Sequence, residues 1–197
     1  MFAQTQNELH NMKHMSILAV SLLALVACTP EKKQEADYSQ YVNPMIGTDF
    51  TGNTYPGAQV PFGMVQLSPD NGLPGWDRIS GYFYPDTTIA GFSHTHLSGT
   101  GAGDLYDISF MPVTRPYKEA PAPLGIYSTF SHNDEAASAG YYRVLLKDYN
   151  INVELTATER CGIQRYTFPE AEASVFLNLK KAMNWDFTND SYIEIID

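Results

Sequence analysis

Two histidines stand two residues apart, His94 and His96, in the segment GFSHTHLSGTG at residues 91–101. Because side chains alternate along an extended chain, the two imidazoles would share one face if this segment is a strand. Such a pair could begin a zinc site, but zinc needs a third and usually a fourth ligand, for which Asp104 and Asp107 are the nearest candidates. The alternative is a buried hydrogen-bonding role that orients the glycine-rich loop. We favour this alternative and predict no metal ligand in the chain.

A tryptophan occurs in the turn-forming stretch PGWD, at Trp76. Glycine and proline before it indicate a loop rather than the middle of a strand. An exposed indole offers a flat apolar face and one N–H donor, which suits stacking against a sugar ring. The alternative is a tryptophan that fills the end of the fold. Tyr82 and Tyr84 follow with strand spacing, so one face of that segment would extend an aromatic rim.

The adjacent carboxylates Asp134 and Glu135 are the pair most suggestive of acid–base chemistry. Asn133 precedes them and Gly140 follows, so we interpret them as a solvated turn that leads into a strand. No other pair of carboxylates has a spacing that identifies a general acid and a general base. We therefore predict no catalytic residue in the chain.

Short β-strands must position these residues. Strands are predicted at residues 141–146, 151–158, 162–168, 174–179 and 192–196, with a tight reversal at 148–150. Apolar and polar residues alternate in residues 151–158, which is typical of a half-buried strand. Closely spaced strands with short polar turns predict an all-β fold, a large antiparallel β-sandwich.

The first 40 residues are predicted to be a targeting segment followed by a tether. Lys13 and His14 precede an apolar run, residues 15–26, that ends in small residues before Cys28. This order is typical of a lipoprotein signal peptide, with Cys28 as the lipidated residue. We predict a signal peptide with an upstream extension at 1–28, a tether at 29–40 and one domain at 41–197. The expected location is the bacterial envelope, lipid-anchored to a membrane and facing the periplasm or the outside.

Charge and cysteine content exclude several classes. The formal net charge of −10 argues against a nucleic-acid partner, since no basic stripe could neutralise phosphates. Cys28 and Cys161 are the two cysteines, so no disulfide framework is expected. Cys161 is predicted to be a small buried core residue.

The order of motifs in the domain resembles the N-terminal domain of glycoside hydrolase family 92, a group of exo-acting α-mannosidases. The resemblance runs from residue 41 to the end of the chain. The recurring segments are NPMIGT at 43–48, YPGAQVPFGMVQLSPD at 55–70, GW at 75–76 with SGY at 80–82, and GFSHTHLSGTG at 91–101. The resemblance implies a galactose mutarotase-like β-sandwich. It also implies mannose-containing glycans as partners, including glycoprotein N-glycans, and an aromatic next to the leaving-sugar side of the pocket.

In that family the acid, the base and the calcium ligands come from a C-terminal (α/α)6 barrel, which this chain lacks. The resemblance therefore implies no cofactor in this chain, with calcium and the catalytic groups supplied by the missing barrel domain. It favours the stacking role for Trp76, and we predict Trp76, Asp77, His94 and His96 as substrate-binding residues. Three interpretations remain open: a mannosidase domain that is inactive alone, an autonomous carbohydrate-binding module, and a remnant of a split or partial gene.

Overall fold

The computed structural model describes residues 36–99, 105–121, 124–169, 172–179 and 188–196. Short 3-10 helices occur at Ser39–Tyr41, Trp76–Arg78 and His132–Asp134, and no α-helix occurs in these ranges. The strands are β1 (Ser68–Asp70), β2 (Thr88–Ile89), β3 (Gly91–Ser93), β4 (Ser109–Thr114), β5 (Glu119–Ala120), β6 (Gly125–Ile126), β7 (Ser128–Thr129), β8 (Glu135–Ser138), β9 (Tyr141–Leu146), β10 (Ile151–Ala157), β11 (Gly162–Thr167) and β12 (Ala173–Asn178).

Two four-stranded antiparallel sheets form the framework of residues 38–196. The first sheet has the strand order β1-β3-β4-β12, and the second has the order β11-β10-β9-β8. Two-stranded pairs, β2 with β7 and β5 with β6, complete the described strands. This architecture confirms the predicted antiparallel all-β sandwich.

Alternation along β9 and β10 builds the inner face of the second sheet. The register pairs Val153 with Val144 and Leu155 with Tyr142, and all four side chains are buried. Cross-strand partners in an antiparallel pair point to the same face, so this register places one apolar row toward the first sheet. The core cluster then joins these residues to Phe92, Met111 and Val113 of the first sheet.

Four of the five strands predicted in the second half of the chain are present as β9 to β12, with bounds that differ by at most one residue at each end. The predicted strand at 192–196 is wrong: the described residues there belong to no strand, and Tyr192 and Ile195 are exposed. An apolar alternating segment becomes a strand only where a neighbouring strand accepts its backbone hydrogen bonds.

Cys161 is exposed, so its predicted place in the core is wrong. It lies in the turn between β10 and β11, where its N–H donates to Thr158 Oγ1 at 3.1 Å and its carbonyl accepts from the Thr158 N–H at 2.8 Å. These two bonds close the turn and direct the thiol outward.

No helix in the described part of the chain is long and apolar enough to cross a membrane. The predicted signal peptide, its Cys28 and residues 29–35 of the predicted tether lie outside the described residues.

Candidate functional site

Trp76 begins a short 3-10 helix in a loop that we call the Trp76 loop, residues 75–86. Gly75 precedes the helix with a φ of 154°, a conformation that side chains rarely adopt. The indole is 54% exposed, so Trp76 does not fill the end of the sandwich. Asp77 follows it and is partly buried. An exposed aromatic face beside a carboxylate has the chemistry needed to stack on a sugar and bind its hydroxyls.

Arg78 and Asp86 close the Trp76 loop on itself. Arg78 Nε lies 2.7 Å from Asp86 Oδ2, and Arg78 Nη2 lies 2.5 Å from Asp86 Oδ1. The hydrogen bonds that Arg78 donates to Asp86 raise the pKa of Arg78, while partial burial opposes this shift. The guanidinium also lies 4.6 Å from the centre of the Phe83 ring, a cation–π contact. The fork geometry fixes both ends of the loop relative to each other.

The buried side chain of Asn71 fixes the Trp76 loop through hydrogen bonds. Its Oδ1 accepts the Phe83 N–H at 2.5 Å, and its Nδ2 donates to the Thr88 carbonyl at 2.7 Å. The Tyr84 N–H donates to the Thr48 carbonyl at 2.8 Å. The loop is irregular, so its backbone groups have no neighbouring strand to bind. These hydrogen bonds supply partners for them instead. Sequence reasoning missed Asn71, since a lone asparagine carries no spacing signal.

His96 is a buried structural residue in this fold. Its Nδ1 donates to the Gln66 carbonyl at 2.7 Å, and its Nε2 lies 2.9 Å from Asp70 Oδ1, with both side chains fully buried. Ser93 Oγ donates to the same Asp70 oxygen at 3.1 Å. A β-carbon at Gly81 would lie 2.9 Å from that oxygen and 3.0 Å from the His96 ring, so the loop approaches as closely as glycine allows.

His94 contacts a different part of the fold from His96. It lies just after β3, its Nδ1 donates to the Ile108 carbonyl at 2.9 Å, and its ring packs edge-on against Phe110. It lines an open groove of about 460 Å³ with Ile108, which precedes β4, and with residues of β4, β11 and β12, namely Phe110, Gly162, Gln164, Tyr166 and Val175. The segment bends instead of extending, so the two imidazoles share no partner.

No group of three or more His, Cys, Asp or Glu side chains in the described ranges is placed to hold a metal ion. Asp104, one of the candidate ligands considered from the sequence, lies outside those ranges. Asp107 is described, and its Oδ2 accepts from Thr95 Oγ1 at 3.1 Å.

Glu135 is buried, so its interpretation as part of a solvated turn is wrong. Its side chain is 1% exposed and accepts hydrogen bonds from Tyr82, Tyr142 and His132. The adjacent Asp134 is 40% exposed. The sequence did not reveal this difference. Glu135 is the first residue of β8 and its side chain points inward, whereas the side chain of Asp134 before it points outward.

The predicted rim of Tyr82 and Tyr84 is also wrong in part. The segment is not a strand, and Tyr82 is fully buried whereas Tyr84 is 38% exposed. Burial and the neighbouring Glu135 raise the pKa of Tyr82, so its hydroxyl stays protonated and donates. Of the predicted substrate-binding residues, Trp76 is the one with a largely exposed side chain; His96 is buried, and Asp77 and His94 are partly buried.

The sequence profile of the glycosyl hydrolase family 92 N-terminal domain matches residues 41–197. The chain belongs to this family.

Solved structures agree with this assignment. The GH92 α-mannosidase BT3965 from Bacteroides thetaiotaomicron, in complex with mannoimidazole, is 48% identical to this chain, with a TM-score of 0.63 over 68% of this chain and 18% of that one. The GH92 glycosyl hydrolase ccman5 is 31% identical, with a TM-score of 0.64 over 74% of this chain and 21% of that one. The inverting GH92 mannosidase BT2199 from the same Bacteroides species is 32% identical, with a TM-score of 0.60 over 73% and 20%.

A curated relative from the fungus Arthroderma benhamiae, described as an uncharacterized secreted glycosidase, is 26% identical over 172 residues, which are 82% of this chain and 21% of the relative. The chain therefore spans about one fifth of the length of the relatives that it matches.

Proposed function

We propose that this chain is the N-terminal domain of a calcium-dependent α-mannosidase and forms one wall of its substrate pocket. The observation that carries the proposal is the exposed indole of Trp76 on a loop fixed by Arg78, Asp86 and Asn71. A stacking surface must be held rigid before the sugar arrives, because ordering it afterwards would cost binding free energy. The mannosidases among the similar structures support mannose-containing glycans, including N-glycans, as the substrates.

The acid–base chemistry is proposed to come from a barrel domain. Glycoside cleavage needs two carboxylates on either side of the scissile bond. Near the Trp76 loop, three described carboxylates are already occupied: Asp70 by His96, Asp86 by Arg78 and Glu135 by two phenols and an imidazole. We therefore expect this chain to hydrolyse no α-mannoside alone, and we place the acid, the base and the calcium ligands on the barrel.

The exposure of large apolar side chains supports a docking surface for that barrel. Phe50 is 79% exposed and Phe62 is 106% exposed, and both residues have a positive φ. Monomeric domains seldom expose many large apolar groups unless a partner covers them. Further exposed members lie close by in the sequence, at Tyr38, Tyr41, Val42, Ile46 and Met64.

The proposed location is the bacterial envelope. The description of the fungal relative as secreted supports a place outside the cytoplasm. We propose further that Cys28 carries a lipid that ties the domain to a membrane, facing the periplasm or the outside.

Substitution of Trp76 tests the proposed stacking role. In an enzyme assembled from this chain and a family barrel, Trp76→Ala should lower kcat/KM for an α-mannobioside roughly tenfold to a hundredfold, since an aromatic face is worth about 1.5–3 kcal/mol when buried. Trp76→Phe is the matched control, because it keeps a flat ring and should retain most of the activity. Full activity of Trp76→Ala would remove this residue from the pocket.

An autonomous carbohydrate-binding module is the second candidate, because the exposed Trp76 could bind a sugar without a barrel. Calorimetric titration of the chain alone with mannobiose separates the two functions. The mannosidase-domain proposal predicts no saturable binding at millimolar sugar. Saturable binding that Trp76→Ala abolishes would favour the module.

A further inference from the structure

The buried carboxylate of Glu135 joins three separate segments of the fold. Tyr82 of the Trp76 loop donates its hydroxyl at 3.0 Å to both carboxylate oxygens. Tyr142 of β9 donates to Oε1 at 2.5 Å, and Nδ1 of His132 lies 2.7 Å from Oε2. Burial, with the charge of Glu135, raises the pKa of Tyr142 well above its usual value, so this hydroxyl also remains a donor. A buried carboxylate needs such donors, because without them it would lose its hydration uncompensated.

His132 extends this set of bonds back to the loop. Its Nε2 lies 2.7 Å from the Tyr84 carbonyl, which can only accept a hydrogen bond. Its Nδ1 lies 2.7 Å from Glu135 Oε2, so the imidazole bridges the buried carboxylate and the backbone of the loop. The ring stacks on Tyr84 at 3.9 Å with an interplanar angle of 7°, and meets Phe130 edge-on. The imidazole is therefore held on two sides by aromatic groups.

We propose that Glu135 and His132 form a clamp that fixes the Trp76 loop to the second sheet and thereby sets the position of the indole. Two residues of the loop are attached: Tyr82 through its hydroxyl and Tyr84 through its carbonyl. Glu135 and His132 are positioning residues, because the groups that they bind belong to the loop of the protein itself. Their importance for sugar stacking rests on the proposed function, whereas the clamp itself rests on the contacts alone.

The clamp can act on Trp76 because hydrogen bonds within the loop connect the clamped tyrosines to the helix that Trp76 begins. Arg78, at the end of the helix that Trp76 begins, is forked onto Asp86 beyond the clamped tyrosines. Backbone bonds inside the loop run from the Arg78 N–H to the Gly75 carbonyl and from the Asp86 N–H to the Phe83 carbonyl. Release at Tyr82 and Tyr84 would therefore leave the loop held by fewer bonds, among them those of Asn71 and the Thr48 carbonyl.

Glu154 provides a matched control for Glu135. It lies on β10 of the same sheet and accepts a phenol from β9, Tyr141, at 2.6 Å, as Glu135 accepts Tyr142. Arg165, on the neighbouring strand β11, also donates a hydrogen bond to Glu154. None of these three residues belongs to the Trp76 loop, so Glu154→Gln makes the same chemical change at a site outside that loop.

The experiment compares Glu135→Gln with Glu154→Gln in the full chain carrying Trp185→Phe, which leaves Trp76 as the single tryptophan. Amide hydrogen exchange is followed at Phe83, Tyr84 and Asp86 of the loop and at β9 and β10. Fluorescence anisotropy decay and acrylamide quenching report on the indole. Neither measurement needs a mannoside or a barrel, so the clamp can fail or stand independently of the proposed function.

Glu135→Gln should raise loop exchange about tenfold or more, since hydrogen bonds to a charged group are lost, while exchange in β9 and β10 changes little. Trp76 should gain a fast component of anisotropy decay and become more quenchable, and Glu154→Gln should leave both readouts unchanged. Unchanged loop exchange and an unchanged indole in folded Glu135→Gln would overturn the clamp. An equal rise in loop, β9 and β10 would also overturn it, because Glu135 would then be an ordinary core residue.

His132→Gln gives a second, milder test. It leaves Glu135 with its two phenols and removes the link from the imidazole to the Tyr84 carbonyl. Faster exchange confined to residues 83–86, with a smaller change at the indole than in Glu135→Gln, supports the clamp. Loop protection equal to that of the unsubstituted chain would show that His132 has no part in it.

Discussion

At the scale of single residues, three carboxylates around the candidate site are each bound by specific donors. Asp70 pairs with His96, Asp86 with Arg78, and Glu135 with His132 and two tyrosines. A low local dielectric makes such bonds strong and makes an unpaired partner costly. These residues therefore shape the loops around Trp76 instead of acting on a substrate.

Glu154 allows a direct test of this kind of pairing by pH. Hydrogen bonds from Arg165 and then Tyr141 lower its pKa from 4.5 to about 2. Because its pKa is lower in the folded chain than in the unfolded chain, the pair stabilises the fold above pH 4.5, and this contribution is lost as the pH falls toward 2. Side-chain NMR titration should find a midpoint near 2 in the unsubstituted chain.

Arg165→Gln should move that midpoint up toward the ordinary value for glutamate. Arg160→Gln, in the exposed turn before β11, is the control and should leave the midpoint in place. A titration midpoint of Glu154 that stays the same in Arg165→Gln would contradict the pairing seen between β10 and β11.

The sequence could predict which residues carry chemistry better than it could predict their surroundings. The turn before Trp76 correctly indicated a loop, because glycine and proline act locally. The burial of Glu135 and His96 could not be predicted, since their partners lie far away in sequence: Tyr82 is 53 residues from Glu135, and Asp70 is 26 residues from His96.

At the scale of elements, β9 and β10 form the most predictable part of the domain. Period-two alternation depends on one strand and one buried face, so it can be read without knowing the partner sheet. The short strands β1 to β3 could not be predicted in the same way, because both of their faces are largely buried and alternation disappears. Residues 192–196 show the converse error, since apolar alternation there is not matched by a neighbouring strand.

Leu155 tests the predicted inner face of β10. It is 1% exposed in the core cluster, so Leu155→Ala should lower the free energy of unfolding by about 2–5 kcal/mol through lost burial and a cavity. Urea denaturation followed by circular dichroism measures this change. Thr156→Ala is the control on the exposed face and should cost much less, even though its hydroxyl donates to the Gly140 carbonyl at 2.9 Å. Equal losses at the two positions would contradict the burial pattern.

At the scale of the whole molecule, the chain corresponds to about one fifth of a family 92 enzyme. Its fold was predictable from the alternation and from the motif order, and the family profile confirms the assignment from residue 41 to residue 197. The anchoring of the molecule stays a prediction, because residues 1–35 lie outside the described part of the structure.

Cys28→Ala tests the anchor. Metabolic labelling with a clickable fatty acid should mark the unsubstituted protein in a bacterial host and leave Cys28→Ala unlabelled, as precursor or released protein. Cys161→Ala is the matched control, since that exposed thiol lies far along the chain in a turn and should not affect labelling. Equal labelling of Cys28→Ala and the unsubstituted protein would show that the lipid is attached elsewhere or not at all.

The central claim is that this domain completes a mannosidase pocket but cannot carry out hydrolysis alone. The most direct measurement is mannose release from an α-mannobioside by the purified chain, by a purified family barrel and by the two together, each with and without calcium. The account predicts no release by the chain alone, and calcium-dependent release when the barrel is fused to it or added as a separate polypeptide. Robust release of mannose by the chain alone would contradict it.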